Sequence, residues 1–399
     1  MNPFEIGLKI YSSDWLLKYD LSPVDASRLL KSWGVDFVLA QNHYLPMPNS
    51  AVQSTAPAEA GYTAEDDIRF REALGKEGIA YWAVACTFFD PSSVEKDPSL
   101  RPIDNHGIPM ERTDWYLGIP PSHEHYVARQ SALIQNAIKA LEPDGILLSF
   151  TRWPGFWELW MPERKRSDFP EYSYDAHTLA RFERETGVPL PNKEHVSTWI
   201  DSNVRELWTR WKCNVLASSI QQIKEEAGRI QPNIRFALNT IPFRTVDFDN
   251  AREQNFGQDV NQLRFTIDLF EVMTYHQILK RPVEWIAAAG AEVKKTSRQK
   301  TVCTIQASAL YLNGMHAKEN RSPSISDEAF SEAVDSIENN ALDGVVIFTW
   351  SDLLHDFFRK KKTTKIDALL AAKQHRKAKQ SMESSPTVSQ REKFQTTNS

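Results

Sequence analysis

Eight short runs of the sequence are rich in apolar residues and have the period of two that is typical of β-strands. Stretches with helical periodicity separate these runs. Strands that alternate with helices form a parallel sheet, and eight such strands close into a barrel. The sequence therefore predicts the α/β class and a (β/α)8 TIM barrel. The eight predicted strands span residues 6–11, 36–44, 80–89, 145–153, 233–243, 269–276, 301–308 and 345–350.

Helical patterns fill the intervals between these strands and follow the last one. They predict helices at residues 22–33, 65–76, 123–141, 197–228, 258–267, 282–295, 326–340 and 365–377. Two longer intervals, 90–121 after strand three and 155–191 after strand four, remain as long loops. Loops of that length usually carry function, and both leave from the face where barrel enzymes hold their active sites. We expect them to form the walls of a cleft.

The composition of the chain changes near residue 373. Residues 1–372 predict one barrel domain, whereas residues 373–399 are rich in Lys, Gln and Ser and poor in apolar residues, which predicts a disordered polar tail. The basic run 359–362 is more typical of a solvated helix entry than of a targeting signal.

Composition and charge narrow the function classes. A hydrophobic content of 41% is ordinary for a globular protein, and a net charge of −5 offers no global attraction for nucleic acid or an anionic membrane. The expected ligand is neutral or weakly charged. Cys86, Cys213 and Cys303 fall in predicted core elements and are expected to be free thiols in a reducing compartment. With no secretory signal pattern and no long apolar run, the expectation is a cytoplasmic protein that does not enter membranes.

Strand four and the loop after it hold the most informative sequence. Its outward positions are apolar throughout, whereas the alternate set changes from Leu147 to Ser149 and Thr151 as the strand approaches its C-terminal end. That end opens onto the active-site face of a barrel. The residues predicted to lie there are Arg152, Trp153, Trp157 and Glu158.

The more polar alternate set of each strand predicts the residues that face the barrel interior. In strand six the choice stays open between Thr274 with His276 and Met273 with Tyr275. For Lys9, an ion pair is favoured over a Schiff-base role, because an unpaired buried charge is costly. The interior set is Lys9, Tyr11, Asn42, Thr87, Ser149, Thr151, Asn239, Thr304, Gln306 and Ser308.

An Asp-Gly pair precedes both strand four and strand eight. Asp144 and Asp343 fall at the N-terminal ends of these strands, the face of a barrel that serves stability. We expect structural roles for both aspartates, and a role in the helix-to-strand turn for the glycines that follow them.

Two segments resemble a group of uncharacterised glycoside-hydrolase-like (β/α)8 barrels. The first is DGILLSFTRWP at residues 144–154, and the second is YSYDAHTLARFERETG at residues 172–187. Weaker similarity lies at residues 115–120, 270–276 and 348–350. The resemblance implies a barrel that acts on sugar-type ligands. Members of the group carry an aspartate where this chain has Ser149, so the resemblance also implies that a catalytic acid is lost or has moved.

Glu158 is the leading catalytic candidate. Glycoside hydrolysis uses two carboxyl groups, and the surrounding aromatics would raise the pKa of a proton donor at this position. The alternative for Glu158 is a structural pair with Arg152. Asp352 and Asp90 are the candidate partners, although each is individually more typical of a helix cap or loop residue.

The predicted substrate contacts combine polar groups with aromatic platforms. They are Asn42, Ser149, Arg152, Trp153, Trp157, Asn239, Tyr275, His276, Gln306 and Trp350. His123 and His125 have an H-x-H spacing, but they open a predicted helix and no compact His, Cys or carboxylate set accompanies them. A phosphate-binding glycine loop and a serine-hydrolase motif are absent from the sequence, so no metal or cofactor is expected.

Two functional hypotheses remain. The first is a cofactor-independent hydrolase of an oligosaccharide or glycoside, which works by carboxylate general acid/base chemistry. The second is a non-catalytic carbohydrate-binding barrel in which Ser149 marks the lost acid. The oligomeric state is not predicted.

Overall fold

The computed structural model describes residues 2–48, 61–191 and 195–384. Eight parallel strands form a closed barrel in sequence order, with β1 hydrogen-bonded to β8. The predicted fold class is confirmed. The strands are β1 Glu5–Ile10, β2 Phe37–Ala40, β3 Ala80–Cys86, β4 Gly145–Ser149, β5 Arg235–Thr240, β6 Leu269–Val272, β7 Lys300–Gln306 and β8 Gly344–Phe348.

Helices surround the barrel and also enter its long loops. The α-helices are α1 Asp14–Leu17, α2 Pro23–Ser32, α3 Ala64–Lys76, α4 Pro91–Lys96, α5 Glu124–Leu141, α6 Ala176–Thr186, α7 Val196–Asn203, α8 Arg205–Gly228, α9 Ala251–Gln254, α10 Val260–Leu263, α11 Val283–Ser297, α12 Asp327–Asn339, α13 Trp350–Leu354 and α14 Thr364–Ser384. The interval after β3 contains α4, and the interval after β4 contains α6. The predicted helix 197–228 is two helices, which meet at Val204.

Several strands end earlier than the sequence pattern predicts. Strand β3 stops at Cys86, yet Phe88 and Phe89 beyond it are fully buried. Strand β2 stops at Ala40, yet Asn42 is buried. The loops at this face of the barrel pack under one another, so their residues keep a strand-like apolar pattern without belonging to the sheet.

The N-terminal end of the barrel is built for stability, as predicted for the two aspartates. Asp144 accepts a hydrogen bond from the Tyr81 amide at 2.8 Å, and Asp343 accepts one from the Thr301 amide at 2.9 Å. The role expected for the glycines differs. A Cβ on Gly145 would lie 2.3 Å from the Trp82 ring, so this glycine makes room for the indole that fills the barrel floor.

The C-terminal helix extends further than predicted. Helix α14 continues to Ser384, whereas a disordered tail was predicted from residue 373. The interval 373–384 is thus ordered helix, and residues 385–399 lie outside the described residues. The prediction was wrong here because Arg376 reads as a polar residue in sequence but is fully buried against α12.

We predict that Arg376→Met weakens folding by about 2 kcal/mol, because it removes a buried cation and its hydrogen bonds from Glu338, although Lys379 stays beside Glu338 at 3.0 Å. Arg376 donates to the Glu338 carboxylate at 2.9 Å and to the Glu338 carbonyl oxygen at 2.7 Å. Lys377→Met is the matched control, since Lys377 is exposed on the same helix. The free energies of unfolding in urea compare the two variants, and equal losses would contradict a structural role for Arg376.

Candidate functional site

Strand β4 ends in a backbone kink that sets the direction of the loop after it. Gly145, Leu147 and Ser149 alternate along the strand, and Leu147 belongs to the cluster that fills the barrel interior. Phe150 then takes a left-handed conformation with φ of 55°. The kink stops the period-two alternation at Ser149, so the side chains beyond it do not follow the predicted pattern.

Glu158 lies in a short 3-10 helix, Trp157–Leu159, within this loop. Its side chain is buried, and Oε2 has no hydrogen-bond partner. Burial raises the pKa of Glu158 to about 7, while Arg152 and Arg321 oppose the shift. A carboxyl group in this state holds a proton near neutral pH and keeps one oxygen free to transfer it.

Arg152 lies close enough to influence Glu158 electrostatically, although no ion pair joins the two among the contacts of the described residues. The guanidinium carbon lies 5.2 Å from the Phe150 ring centre and 5.4 Å from that of Tyr116. Arg152 is 2% exposed, and both Nε and Nη2 lack a partner. The alternative prediction of a structural Arg152–Glu158 pair is therefore not what the geometry shows.

A buried ionic cluster occupies the barrel interior below the mouth. Lys9 Nζ lies 2.9 Å from Glu271 Oε1 and donates to the Tyr275 hydroxyl oxygen at 3.0 Å. Thr304 donates to the same Glu271 oxygen, and Glu271 Oε2 has no partner. Burial raises the pKa of Glu271 and lowers that of Lys9, while their contact opposes both shifts. The predicted ion pair of Lys9 is confirmed.

Tyr275 connects this cluster to Glu158. Both Glu271 and Glu158 help to raise the pKa of its phenol, which is otherwise raised mainly by burial. The Trp157 ring stacks on Tyr275 with centroids 6.0 Å apart. The open choice in strand six is thereby decided for Tyr275, which faces the interior together with Glu271.

Two further predicted contacts present polar atoms without partners. Asn239 is 3% exposed and its Nδ2 is unpaired, while His276 is 8% exposed and its Nδ1 is unpaired. Burial lowers the pKa of His276, so the ring is neutral near pH 7. Buried polar atoms without partners are unusual away from sites that bind a ligand or water.

One arginine holds the loops above the mouth together. Arg321, in the loop after β7, donates to the carbonyl oxygens of Ile278 at 2.7 Å and Glu158 at 2.9 Å. It also donates to the carbonyl oxygens of Tyr311 and His316, both at 3.3 Å. We refer to these linked segments after β4, β6 and β7 as the roof. His316 adds a contact to Asp114, in the loop after β3, at 3.2 Å.

The indoles available to a sugar differ from those predicted. Trp153 is fully buried among Trp208, Trp211 and Phe182, and its Nε1 donates to the Lys212 carbonyl oxygen at 3.0 Å. Trp350 is 1% exposed and stacks on Trp15 and Phe70. The kink at Phe150 and the early end of β8 turn these two indoles into packing residues, so their predicted platform role is wrong. Trp157 lies under the roof and is 1% exposed.

Partly exposed aromatics border the site instead. Trp115 packs edge-on against Phe150 at 5.6 Å and Phe156 at 5.7 Å. Tyr11 and Phe348 meet edge to face at 5.8 Å. The rim aromatics, as we call them, are Tyr11, Trp115, Phe150, Tyr311 and Phe348, and all are partly exposed.

The two aspartates predicted as catalytic partners serve as helix caps. Asp90 precedes α4 and accepts from the Ser93 amide at 3.0 Å and the Ser93 hydroxyl at 2.5 Å. Asp352 accepts from the Thr349 amide at 3.0 Å and the Thr349 hydroxyl at 2.8 Å, at the start of α13. These bonds give both carboxylates the structural role that the sequence offered as their alternative.

Other predicted contacts also have structural partners. Asn42 Oδ1 accepts from the amides of Tyr44 and Leu45, which closes a turn after β2. Gln306 is fully buried and donates to Gln277 Oε1 at 3.0 Å. Ser149 faces the interior, and its carbonyl oxygen accepts from Thr87. The structure thus brings Arg152, Glu158, Tyr275 and Asn239 toward the mouth and assigns Asn42 and Gln306 to its framework.

The second resembling segment has a structural explanation in full. Asp175 caps α6 by accepting from the Thr178 amide at 2.9 Å, Arg181 pairs with Glu185 at 2.7 Å, and Gly187 ends the helix with φ of 71°. These are a helix start, a helix surface pair and a helix stop. The segment secures the wall of the site and adds no reactive group to it.

Sequence reasoning missed Glu271, Arg321 and Trp115. Glu271 interrupts an apolar run at an inward position of β6, and a search for a partner to Lys9 would have pointed to it. Trp115 lies in one of the resembling segments, but nothing in the local pattern distinguishes it from the buried indoles. Arg321 had no signal, because its partners are main-chain atoms of distant loops.

A small pocket lies beside the site without including Glu158 or Arg152. It lies between β1 and β2, with Tyr11, Gln41 and Tyr62 among its lining residues. Tyr11 joins this pocket to the ionic cluster, since Lys9 Nζ lies 5.8 Å from its ring centre. We place the candidate site at Glu158 because its raised pKa and unpaired Oε2 occur near Arg152, whose Nε and Nη2 are also unpaired.

The fold is a (β/α)8 barrel, and several solved glycoside hydrolases share it. Solved structures with this fold include the PgaB (BpsB) glycoside hydrolase domain from Bordetella bronchiseptica, with a TM-score of 0.64 and 13% identity over 91% of this chain and 99% of that one. The catalytic domain of β-amylase from Paenibacillus polymyxa has a TM-score of 0.56 and 12% identity over 94% and 97%.

α-L-Fucosidase isoenzyme 2 from Paenibacillus thiaminolyticus has a TM-score of 0.59 and 12% identity over 96% of this chain, which spans 50% of the fucosidase. At these identities the likeness establishes the fold. No family model and no curated protein matches the sequence.

Two other features are absent from the part of the chain that the structure describes. Within residues 2–48, 61–191 and 195–384, no group of three or more His, Cys, Asp or Glu side chains is arranged to hold a metal ion. In the same ranges, none of the helices has the length and apolar character needed to cross a membrane.

Proposed function

We propose that this barrel hydrolyses a glycosidic bond, with Glu158 as the general acid. One observation carries the proposal: Glu158 is buried at the mouth of a glycoside-hydrolase-type barrel, with a pKa raised to about 7 and an unpaired Oε2. That combination is what a proton donor to a leaving oxygen requires at neutral pH.

The proposed reaction begins with proton transfer from Glu158 to the glycosidic oxygen as the bond from that oxygen to the anomeric carbon breaks. Water then adds to the anomeric carbon and gives up a proton, which restores the acid. Positive charge develops on the sugar ring as the bond breaks. Glu271 is the proposed second carboxylate, because it faces the interior and has an unpaired oxygen.

A non-catalytic carbohydrate-binding barrel is the second candidate function. It is favoured by the position of Ser149 and by the contacts of the other acids. Asp90 and Asp352 cap helices, and Glu271 is engaged by Lys9. If Glu271 serves only as the partner of Lys9, Glu158 has no second carboxylate to work with.

The deciding experiment measures reducing ends released from a broad oligosaccharide panel by the purified full chain and by Glu158→Gln. Turnover that the variant loses supports hydrolysis with Glu158 as the acid. Turnover that persists in the variant rules out Glu158. Saturable sugar binding without turnover in either protein supports the binding barrel.

We expect Trp115→Ala to weaken sugar affinity about tenfold, because its partly exposed indole offers an apolar face to a sugar ring. Trp153→Phe serves as the contrast: it removes the bond to Lys212 and should lower the melting temperature while leaving sugar affinity unchanged. Titration calorimetry and thermal unfolding of both variants give the two readouts. If Trp153→Phe weakened sugar affinity and Trp115→Ala did not, Trp153 would be the sugar platform.

A further inference from the structure

Arg152 places a positive charge at the mouth that has no direct carboxylate contact among the described residues. Its unpaired Nε and Nη2 hydrogens lie along one edge of the guanidinium plane, the edge that forms paired hydrogen bonds with two oxygens of an anion. The rings of Tyr116 and Phe150 lie within 5.4 Å of the guanidinium carbon. Contacts with these rings stabilise the cation, but the rings give its N–H groups no oxygen acceptor.

The other charged groups at the mouth do not neutralise Arg152. Arg321 donates hydrogen bonds to four main-chain carbonyl oxygens, so its charge is not offset by a bonded carboxylate. Lys9 and Glu271 offset each other. Glu158 interacts electrostatically with both arginines, and in its protonated form it offsets neither, whereas Glu319 acts on Arg321.

We propose that the substrate bears a carboxylate, as a hexuronic acid residue does, and that the free Nε and Nη2 edge of Arg152 binds it. This inference rests on the proposed function, whose substrate class it specifies. A carboxylate presents two oxygens in one plane at the spacing of that edge, and its negative charge offsets that of Arg152. The chain as a whole is negatively charged, so this preference is local to the mouth.

Sulfate and phosphate esters offer similar oxygen pairs, so the experiment separates the sources of the anion. Titration calorimetry on the full chain compares five probes: an oligogalacturonate, a glucuronate-containing oligosaccharide, the carboxyl-reduced neutral counterpart of each, and a sulfated oligosaccharide. The proteins are wild type, Arg152→Gln, Arg152→Lys and Arg235→Gln. Arg235 is the matched control, since its guanidinium carbon lies 4.9 Å from the Trp82 ring centre at the opposite end of the barrel.

We expect wild type to bind at least one uronate oligosaccharide about tenfold to a hundredfold more tightly than its reduced counterpart. Arg152→Gln should remove that preference, Arg152→Lys should retain only part of it, and Arg235→Gln should leave it unchanged. Equal affinity of wild type for the acidic and reduced forms would overturn the inference. A preference for the sulfated probe over both uronates would overturn the carboxylate assignment.

The two proposals fail in different ways. Neutral sugars that are bound and hydrolysed would sustain the proposed function and overturn the uronate inference. Uronates that are bound through Arg152 but not cleaved would sustain the inference and favour the binding barrel. Failure of wild type to bind any of the probes would overturn the inference for these sugars, while the wider turnover panel would still decide hydrolysis.

Discussion

Replacing Glu158 by Gln is expected to lower turnover by about a hundredfold to ten thousandfold, the contribution typical of a general acid. The substituted amide side chain would fill the same buried space but cannot donate the proton. Because the variant conserves size and removes a carboxyl that burial keeps partly protonated near pH 7, its melting temperature should stay close to that of wild type. The measurement is turnover at saturating substrate, with thermal unfolding as the control for folding.

The pH profile supplies a second readout of the same change. Glu158 must be protonated to act, and its pKa in the folded chain is about 7 against an ordinary value of 4.5. Activity should therefore be retained below pH 7 and fall as the pH rises through the folded-state pKa. The residual activity of Glu158→Gln should lack this alkaline limb. A wild-type profile that rises through pH 7 would assign Glu158 the role of a base instead.

The second large effect concerns stability. Lys9→Met leaves Glu271 buried without its cation, and Glu271→Leu leaves Lys9 buried without its anion, so each is expected to cost about 3–5 kcal/mol of folding free energy. The double variant Lys9→Met with Glu271→Leu removes both charges and should recover most of that loss.

Urea unfolding of wild type, the two single variants and the double variant completes the cycle. We expect the double variant to lose less folding free energy than the sum of the two single variants, because it leaves no buried charge without a partner. Additive losses would mean that the two residues do not stabilise the fold as a pair. If the double variant folds but no longer turns over substrate, Glu271 gains support as the second carboxylate.

The fold was predictable because its signals are local. Each strand carries its own apolar run, and the hydrogen bonds of Asp144 and Asp343 follow from their place before a strand. Strand ends were less predictable. The apolar pattern around Phe88 and Phe89 continues past β3 because the loop is buried, and burial of a loop looks the same in sequence as membership of a sheet.

The site was predictable only in part, since its composition depends on where the chain turns. Glu158 and Arg152 were found from the loop after β4, yet the kink at Phe150 sends Trp153 into the packing of α8, and no propensity predicts a left-handed phenylalanine. Trp350 shows the same limit. Any of the twelve tryptophans could be a core residue or a sugar platform, and for Trp350 only its packing against Trp15 and Phe70 shows that it is core.

Arg321 has a consequence for how the roof moves. Its guanidinium holds the carbonyl oxygens of Ile278, Tyr311, His316 and Glu158, which come from three different loops. Lifting one of these loops strains the bonds to the others, so the roof should open as a unit. Entry and exit of a sugar at the proposed site would then require the same conformational step.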